Sequence, residues 1–139
     1  MMYRSEVSLI KFREIGDARG KLVSLESGIS IPFDITRCYY IYGVESSQER
    51  GFHAHKNLKQ VLICLHGKIK ITCEYLGKVE EYTLCSPAQG LLIDSLVWHS
   101  MTFIDDNSVL MVLADNYYDE SDYIRNYEEF KRLDAESFT

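Results

Sequence analysis

Two periodicities divide the chain. Most of it alternates apolar and polar residues at period two, in short runs separated by Gly, Pro, Asn or Asp, which is the signature of half-buried β-strands. Runs of this kind cover Glu6 to Arg13, Lys21 to Glu26, Phe33 to Val44, Lys68 to Tyr75, Lys78 to Leu84, Leu91 to Ile93 and Val97 to Ile104. Two further runs are apolar throughout: Val61 to Leu65 reads as an apolar strand and Val109 to Ala114 as a buried one. The intervening turns are predicted at 15–20, 28–32, 76–77, 86–90 and 105–107, with a polar loop at 45–49. Only after Asp122 does the period lengthen. Tyr123, Tyr127 and Phe130 fall at helical spacing and predict one helix from Asp122 to Leu133, covering an edge of the sheets. About ten short strands and one terminal helix predict an all-β barrel or two-sheet jelly roll.

One stretch concentrates the chemistry. His53 and His55 alternate with Phe52 and Ala54, which puts both imidazoles on one face of a strand. Gln60 opens the apolar strand that follows, and Gly67 ends it. His99 lies in another apolar run, behind Trp98. In Phe33 to Val44, Ile35, Arg37, Tyr39 and Ile41 share one face. An arginine on such a face needs an anionic partner. His66, beside a turn, is expected in solvent.

With 139 residues, the chain is long enough for a sizeable core, and it is expected to form a single domain, 1–139. No run resembles a signal peptide or spans a bilayer, so no membrane partner and a cytoplasmic location are expected. The four cysteines show no metal or disulfide spacing and read as small buried hydrophobes. A net charge of −6 argues against a nucleic-acid surface, while leaving room for a local cluster of Arg and Lys around a small anion.

The pattern His53-x-His55, then Gln60, then Gly67 resembles the first cupin motif, and His99 falls where the second motif has its histidine. Gln60 stands where that motif has Glu, and Asp94 and Leu96 stand where the second has Pro and Gly. A longer set is similar to the dTDP-4-keto-6-deoxyglucose 3,4-ketoisomerases, the WxcM-like sugar ketoisomerases. It comprises Asp17-x-Arg19-Gly20, Ile31-Pro32-Phe33, Arg37-x-Tyr39-Tyr40-Ile41, Arg50 to Lys56, Gln60-Val61-Leu62, Ser86-Pro87-Ala88-x-Gly90, Val97-Trp98-His99 and Tyr117 to Arg125.

The resemblance implies an RmlC-like cupin barrel that forms a homodimer by exchanging strands. It implies an isomerase of dTDP-linked sugars that needs no metal or other cofactor and serves the synthesis of 3-amino-3,6-dideoxyhexoses for lipopolysaccharide, S-layer glycans or antibiotics. Arg19 with His99 is similar to the pattern of members that form the galacto product. Within this reading His53 is the base at carbon, and His55 handles protons or hydrogen bonds at the sugar oxygens. Tyr39 donates to an oxygen or positions the ring. Arg19, Arg37, Arg50, Lys56, Gln60 and His99 are the candidate substrate-binding residues, with Arg37 aimed at a diphosphate. Tyr117, Tyr118 and Tyr123 are expected to serve packing. Three alternatives remain: a metal-dependent cupin on His53, His55 and His99, which Gln60 weakens as a ligand set; an RmlC-type 3,5-epimerase; and a non-catalytic sugar-nucleotide-binding cupin.

Overall fold

A computed structural model describes residues 3–138. Alternation builds it. In the strand Ile69–Tyr75, every second residue (Ile69, Ile71, Cys73, Tyr75) is buried, and in Trp98–Phe103 the buried set is His99, Met101 and Phe103. Numbered in chain order, the strands are β1 (Val7–Lys11), β2 (Glu14–Asp17), β3 (Gly20–Val23), β4 (Arg37–Ile41), β5 (Gln48–His55), β6 (Gln60–His66), β7 (Ile69–Tyr75), β8 (Lys78–Leu84), β9 (Gln89–Ile93), β10 (Trp98–Phe103), β11 (Val109–Ala114) and β12 (Tyr123–Ile124). A 3-10 turn, Glu120–Asp122, precedes β12, and helix α1 spans Tyr127–Ser137.

Two five-stranded antiparallel sheets face each other. One has the order β1-β9-β6-β11-β4 and the other β12-β5-β10-β7-β8; β2 and β3 form a separate hairpin. Between them lies a core that includes Leu62, Ile71, Leu91, Phe103, Leu110 and Val112. Burying side chains of this size stabilises the fold by about 1.5–3 kcal/mol each before entropy is set against it. The first sheet is covered on its outer face too. Ile31 and Phe33, from the segment after β3, pack there with Val61, Ile63 and Leu113, which is why β6 and β11 read as continuous apolar runs. The arrangement is the cupin jelly roll that the resemblance implies.

Several boundaries differ from those the periodicity predicts. Residues 15–17, expected in a turn, pair in β2 with β3. Gln89 and Gly90, also expected in a turn, pair with Lys11 and Ile10. The strand expected from Phe33 to Val44 is regular only over Arg37–Ile41, because Phe33 is drawn into the outer cluster. Cys64 and Cys73 are buried as expected, but Cys38 and Cys85 are exposed; all four are free. Cys38 alternates with Arg37 and Tyr39 and so faces outward.

The largest difference concerns the helix. It starts at Tyr127, capped by Asn126, whose side chain accepts from the Glu129 amide at 2.9 Å. Tyr123 is not helical. It pairs with His55, and Ile124 pairs with Ala54. The apolar stripe was shared between two elements: Phe130 is buried against Trp98 beside Ala54 and Leu96, while Tyr123 turns toward the histidines.

Candidate active site

Backbone register brings the imidazoles together. His99 on β10 is the direct cross-strand partner of His53 on β5, so their rings meet edge to face, centroids 4.8 Å apart. The register then slips by one residue between His99 and Ser100, which pairs with Gly51. Phe52 is the extra residue of this bulge and takes φ 63°, and Gly51 takes φ 96°. A side chain at Gly51 would meet the His99 carbonyl oxygen at 3.0 Å and Ser100 Cα at 3.1 Å. Glycine is thus what lets β5 approach β10 closely enough to aim His53 at His99. His55 lies 5.0 Å from His53, ring to ring, and 6.1 Å from His99. Ring nitrogens of all three fall within 4.8 Å of one another.

His53 and His99 form one wall of a cavity of about 360 Å³ between the sheets. His53, Arg50, Gly51, His99 and Met101 come from the second sheet; Arg37, Tyr39, Ile41, Gln60, Leu62, Leu110 and Val112 face them from the first. Tyr118, Tyr123 and Arg125 close a side. His55 is buried immediately beside His53.

The electrostatics favour neutral imidazoles. Burial, followed by His99, His55 and Arg125, pushes His53 from its ordinary 6.5 to about 2. Burial and then His55 push His99 to about 4, against the favourable bond of its Nδ1–H to the Val97 carbonyl at 3.0 Å. His53 is therefore unprotonated at neutral pH, with a ring lone pair free. Burial, then Tyr123, raises Tyr39 to about 12, which keeps its phenol a hydrogen-bond donor. Tyr39 Oη reaches Gln60 Oε1 at 3.4 Å.

His55 has a partner of its own. Its Nδ1 lies 2.9 Å from Asp122 Oδ2. The other carboxylate oxygen of Asp122 accepts from the amides of Lys56 (3.1 Å) and Asn57 (2.7 Å). Burial pushes Asp122 up, but these bonds outweigh it and leave the group below the ordinary carboxylate value.

Cations line the mouth. The Arg37 guanidinium lies over the rings of Tyr39 (5.0 Å) and Tyr118 (5.8 Å), and its buried Nε has no hydrogen-bond partner. Among the described residues neither Arg37 nor Arg50 makes an ion pair. Arg125 is already paired, with Glu120 at 2.7 and 3.1 Å, and sits 4.2 Å above the Tyr123 ring. An anion entering the mouth finds two free guanidiniums and one occupied.

Of the residues singled out in the sequence, His53, Tyr39, Arg37, Arg50, Gln60 and His99 line the cavity and His55 adjoins it. Lys56 and Arg19 lie outside it. Lys56 points outward, beside Asn57, Asp119 and Asp122, because alternation past His55 turns it away. Arg19 sits at the tip of the β2–β3 hairpin, its side chain 91% exposed and paired with Asp17 at 2.7 Å. Asp122, Tyr123, Tyr118 and Arg125 are the residues the periodicity missed. The Tyr117-to-Arg125 motif marks all four, but the expected helix hid their direction.

As a metal site the donor set fits poorly. Three imidazoles converge, but Gln60, which stands where the cupin motif has its carboxylate, is a neutral amide whose Nε2 has no partner. The site fits proton transfer better, with neutral bases on one wall and a phenol donor on the other.

Known proteins share this sequence and this fold. Residues 5–135 match the family described as FdtA: WxcM-like, C-terminal. A curated TDP-4-oxo-6-deoxy-alpha-D-glucose-3,4-oxoisomerase from Aneurinibacillus thermoaerophilus is 47% identical over 130 residues, 94% of either chain. The sugar 3,4-ketoisomerase QdtA of Thermoanaerobacterium thermosaccharolyticum, solved with TDP, superposes with a TM-score of 0.93 at 46% identity, covering 96% of this chain and 97% of the other. Two QdtA variants superpose at 0.92 over 95% of this chain and 96% of theirs. One, 45% identical, has histidine replaced by asparagine and holds TDP-4-keto-6-deoxyglucose; the other, 48% identical, has a tyrosine replaced by arginine and an arginine by histidine, and holds TDP. A dTDP-4-dehydrorhamnose 3,5-epimerase from Bacillus anthracis, 19% identical over 85% of this chain and 77% of its own with a TM-score of 0.75, shares the fold. The chain belongs to the FdtA, WxcM-like family, whose solved relatives include sugar 3,4-ketoisomerases.

Proposed function

We propose that the protein converts dTDP-4-keto-6-deoxy-D-glucose to a dTDP-3-keto-6-deoxyhexose by moving protons between C3 and C4. The observation that carries this reading is the pairing of a neutral, cavity-facing His53 with an unpartnered Arg37 at the cavity mouth. The C3 proton is acidic because it lies beside the C4 ketone. His53 removes it, Tyr39 donates a hydrogen bond to the developing enediolate, and the proton returns at C4. Arg37 and Arg50 hold the diphosphate, Gln60 and His99 contact the sugar, and His55 manages protons at its oxygens.

The galacto product is favoured by Arg19 and His99. In the QdtA double variant the two replaced positions lie eighty residues apart and carry arginine and histidine; Arg19 and His99 are also eighty residues apart and are arginine and histidine. Arg19 is remote from the cavity of its own chain, so this reading goes with a homodimer in which exchanged strands carry the hairpin, and Arg19 with it, to the partner's site. Ile15 and Leu22 on that hairpin are 51% and 57% exposed, as residues awaiting a partner would be. The pathway is the synthesis of 3-amino-3,6-dideoxyhexoses in the cytoplasm, for lipopolysaccharide, S-layer glycans or antibiotics, and the whole chain acts as one cupin domain.

One observation favours a second reading. A 3,5-epimerase needs a carboxylate-backed histidine and a phenol across the ring, and His55 with Asp122 and Tyr39 supplies both types of group. Proton NMR of the product distinguishes the two. The ketoisomerase yields a 3-ketosugar with a new proton at C4, its small H4–H5 coupling reporting the galacto form. The epimerase yields a 4-ketosugar inverted at C3 and C5, and that product would refute the proposal.

A further inference from the structure

Ketoisomerisation moves an oxygen-bound proton as well as a carbon-bound one. After C3–H is lost, O3 still carries its proton and O4 carries the negative charge. The ketone can form at C3 only when O3 has lost that proton and O4 has gained one. His53 is occupied meanwhile, because it holds the proton destined for C4. A second base is required that can take a proton and give it up again.

His55 is placed and oriented for this. Its Nδ1 faces the Asp122 carboxylate, an acceptor with no proton of its own, so Nδ1 carries the hydrogen and Nε2 the lone pair. The carboxylate cannot swing away. Its Oδ1 is tied to two consecutive amides, Lys56 and Asn57, and the Asp122 carbonyl accepts from the Lys56 amide at 2.9 Å. The short strand β12 pairs Tyr123 with His55, packing that ring on the imidazole at 4.4 Å and fixing its plane. The histidine and the carboxylate are 3% and 13% exposed, so little water competes for their bond. Ring nitrogens of His55 and His53 lie within 4.8 Å, a gap that one sugar oxygen hydrogen-bonded to both can bridge.

We propose that Asp122 is a positioning residue for the isomerisation: it holds His55 as the Nδ1–H tautomer and stabilises the imidazolium formed while His55 carries the O3 proton to O4. In sequence, His53 takes hydrogen from C3, giving an enediolate with charge on O4. His55 Nε2 accepts the O3 proton and releases it to O4, leaving the charge on O3. His53 returns its proton to C4 and the C3–O bond becomes a ketone. Protons and charge balance, and both imidazoles end neutral.

This inference rests on the ketoisomerase reading, and the test separates the two. The first measurement needs no substrate: the tautomer of His55 in the wild-type protein, by long-range proton–nitrogen NMR on ¹⁵N-histidine-labelled protein, assigned through the His55→Asn variant. The expected result is hydrogen on Nδ1; hydrogen on Nε2 overturns the inference. The second is kinetic. Asp122→Asn keeps Oδ1 for the Lys56 and Asn57 amides but turns an NH2 group toward His55 Nδ1, which forces the other tautomer. A comparable change in a Ser-His-Asp triad costs about 10⁴ in kcat. Here kcat should fall at least roughly 100-fold, with KM changed less than about threefold. Asp122→Glu should recover part of the loss. A kcat within about threefold of wild type, or a loss carried by KM alone, overturns the inference. Should Asp122→Asn fail to fold, the wild-type tautomer still decides. A wild-type protein that does not isomerise the sugar refutes the reading of function, while the tautomer reports on the dyad separately.

Discussion

Keeping histidines neutral inside the barrel makes the protein acid-sensitive in a calculable way. In the native state His99 resists protonation until about pH 4 and His53 until about pH 2, whereas both would titrate near 6.5 in the unfolded chain. Below pH 6.5 the unfolded state therefore binds more protons, and stability falls with pH through the window from 6.5 to 4. Each ring contributes a slope of about 1.4 kcal/mol per pH unit. Between pH 7 and pH 5 that amounts to about 2 kcal/mol per histidine, or about 4 kcal/mol together, a large share of a typical 5–15 kcal/mol of stability. Asp94 and Asp115, held above ordinary carboxylate values chiefly by burial, act in the opposite sense at the acid end, so a total slope alone does not isolate the histidines. The His99→Asn variant does. Its amide NH2 can still donate to the Val97 carbonyl, but it does not titrate. Urea unfolding followed by the fluorescence of the single tryptophan, Trp98, at fixed protein concentration should show the wild type losing about 2 kcal/mol more than the variant from pH 7 to pH 5. Parallel pH dependences for the two proteins would refute the reasoning.

Other expectations follow from the same site. His53→Asn should lower turnover at least roughly 100-fold while dTDP binding by calorimetry stays near wild type, since the amide matches the imidazole in polarity but cannot take a carbon-bound proton; full activity would remove His53 from the role of base. Arg37→Gln should weaken dTDP about 10-fold or more, the worth of one or more charge-assisted bonds to phosphate, and unchanged affinity would place the diphosphate elsewhere. Activity should survive exhaustive chelation, because Gln60 stands where a cupin metal site has its carboxylate; stoichiometric metal whose removal abolishes turnover would favour the metal-dependent alternative. Sedimentation at micromolar concentration should give a dimer, and a monomer alone would count against the exchanged hairpin.

Much was legible along the chain because the signals are local. Alternation at period two marks the strands, and two unbroken apolar runs mark β6 and β11, buried on both faces. The shared face of Arg37, Tyr39 and Ile41 is a consequence of strand geometry, and so is the outward turn of Cys38, which composition alone had counted as buried. Within β5, alternation brings His53 and His55 to the same side. The family motifs named the remaining site residues without saying where they point.

What only the tertiary structure decided is the contact between segments distant in sequence. His99 meets His53 because β10 pairs with β5, and the bulge at Gly51 and Phe52 sets the angle. Tyr123 reads as the first apolar residue of a helix because 123, 127 and 130 share a helical stripe. Pairing with the β5 edge prevailed, since it satisfies backbone groups on both segments and places Asp122 where three donors need an acceptor. Periodicity records which residues avoid water; it does not record which neighbour buries them. In this protein that second choice, made by β12 against β5, sets a carboxylate behind a histidine.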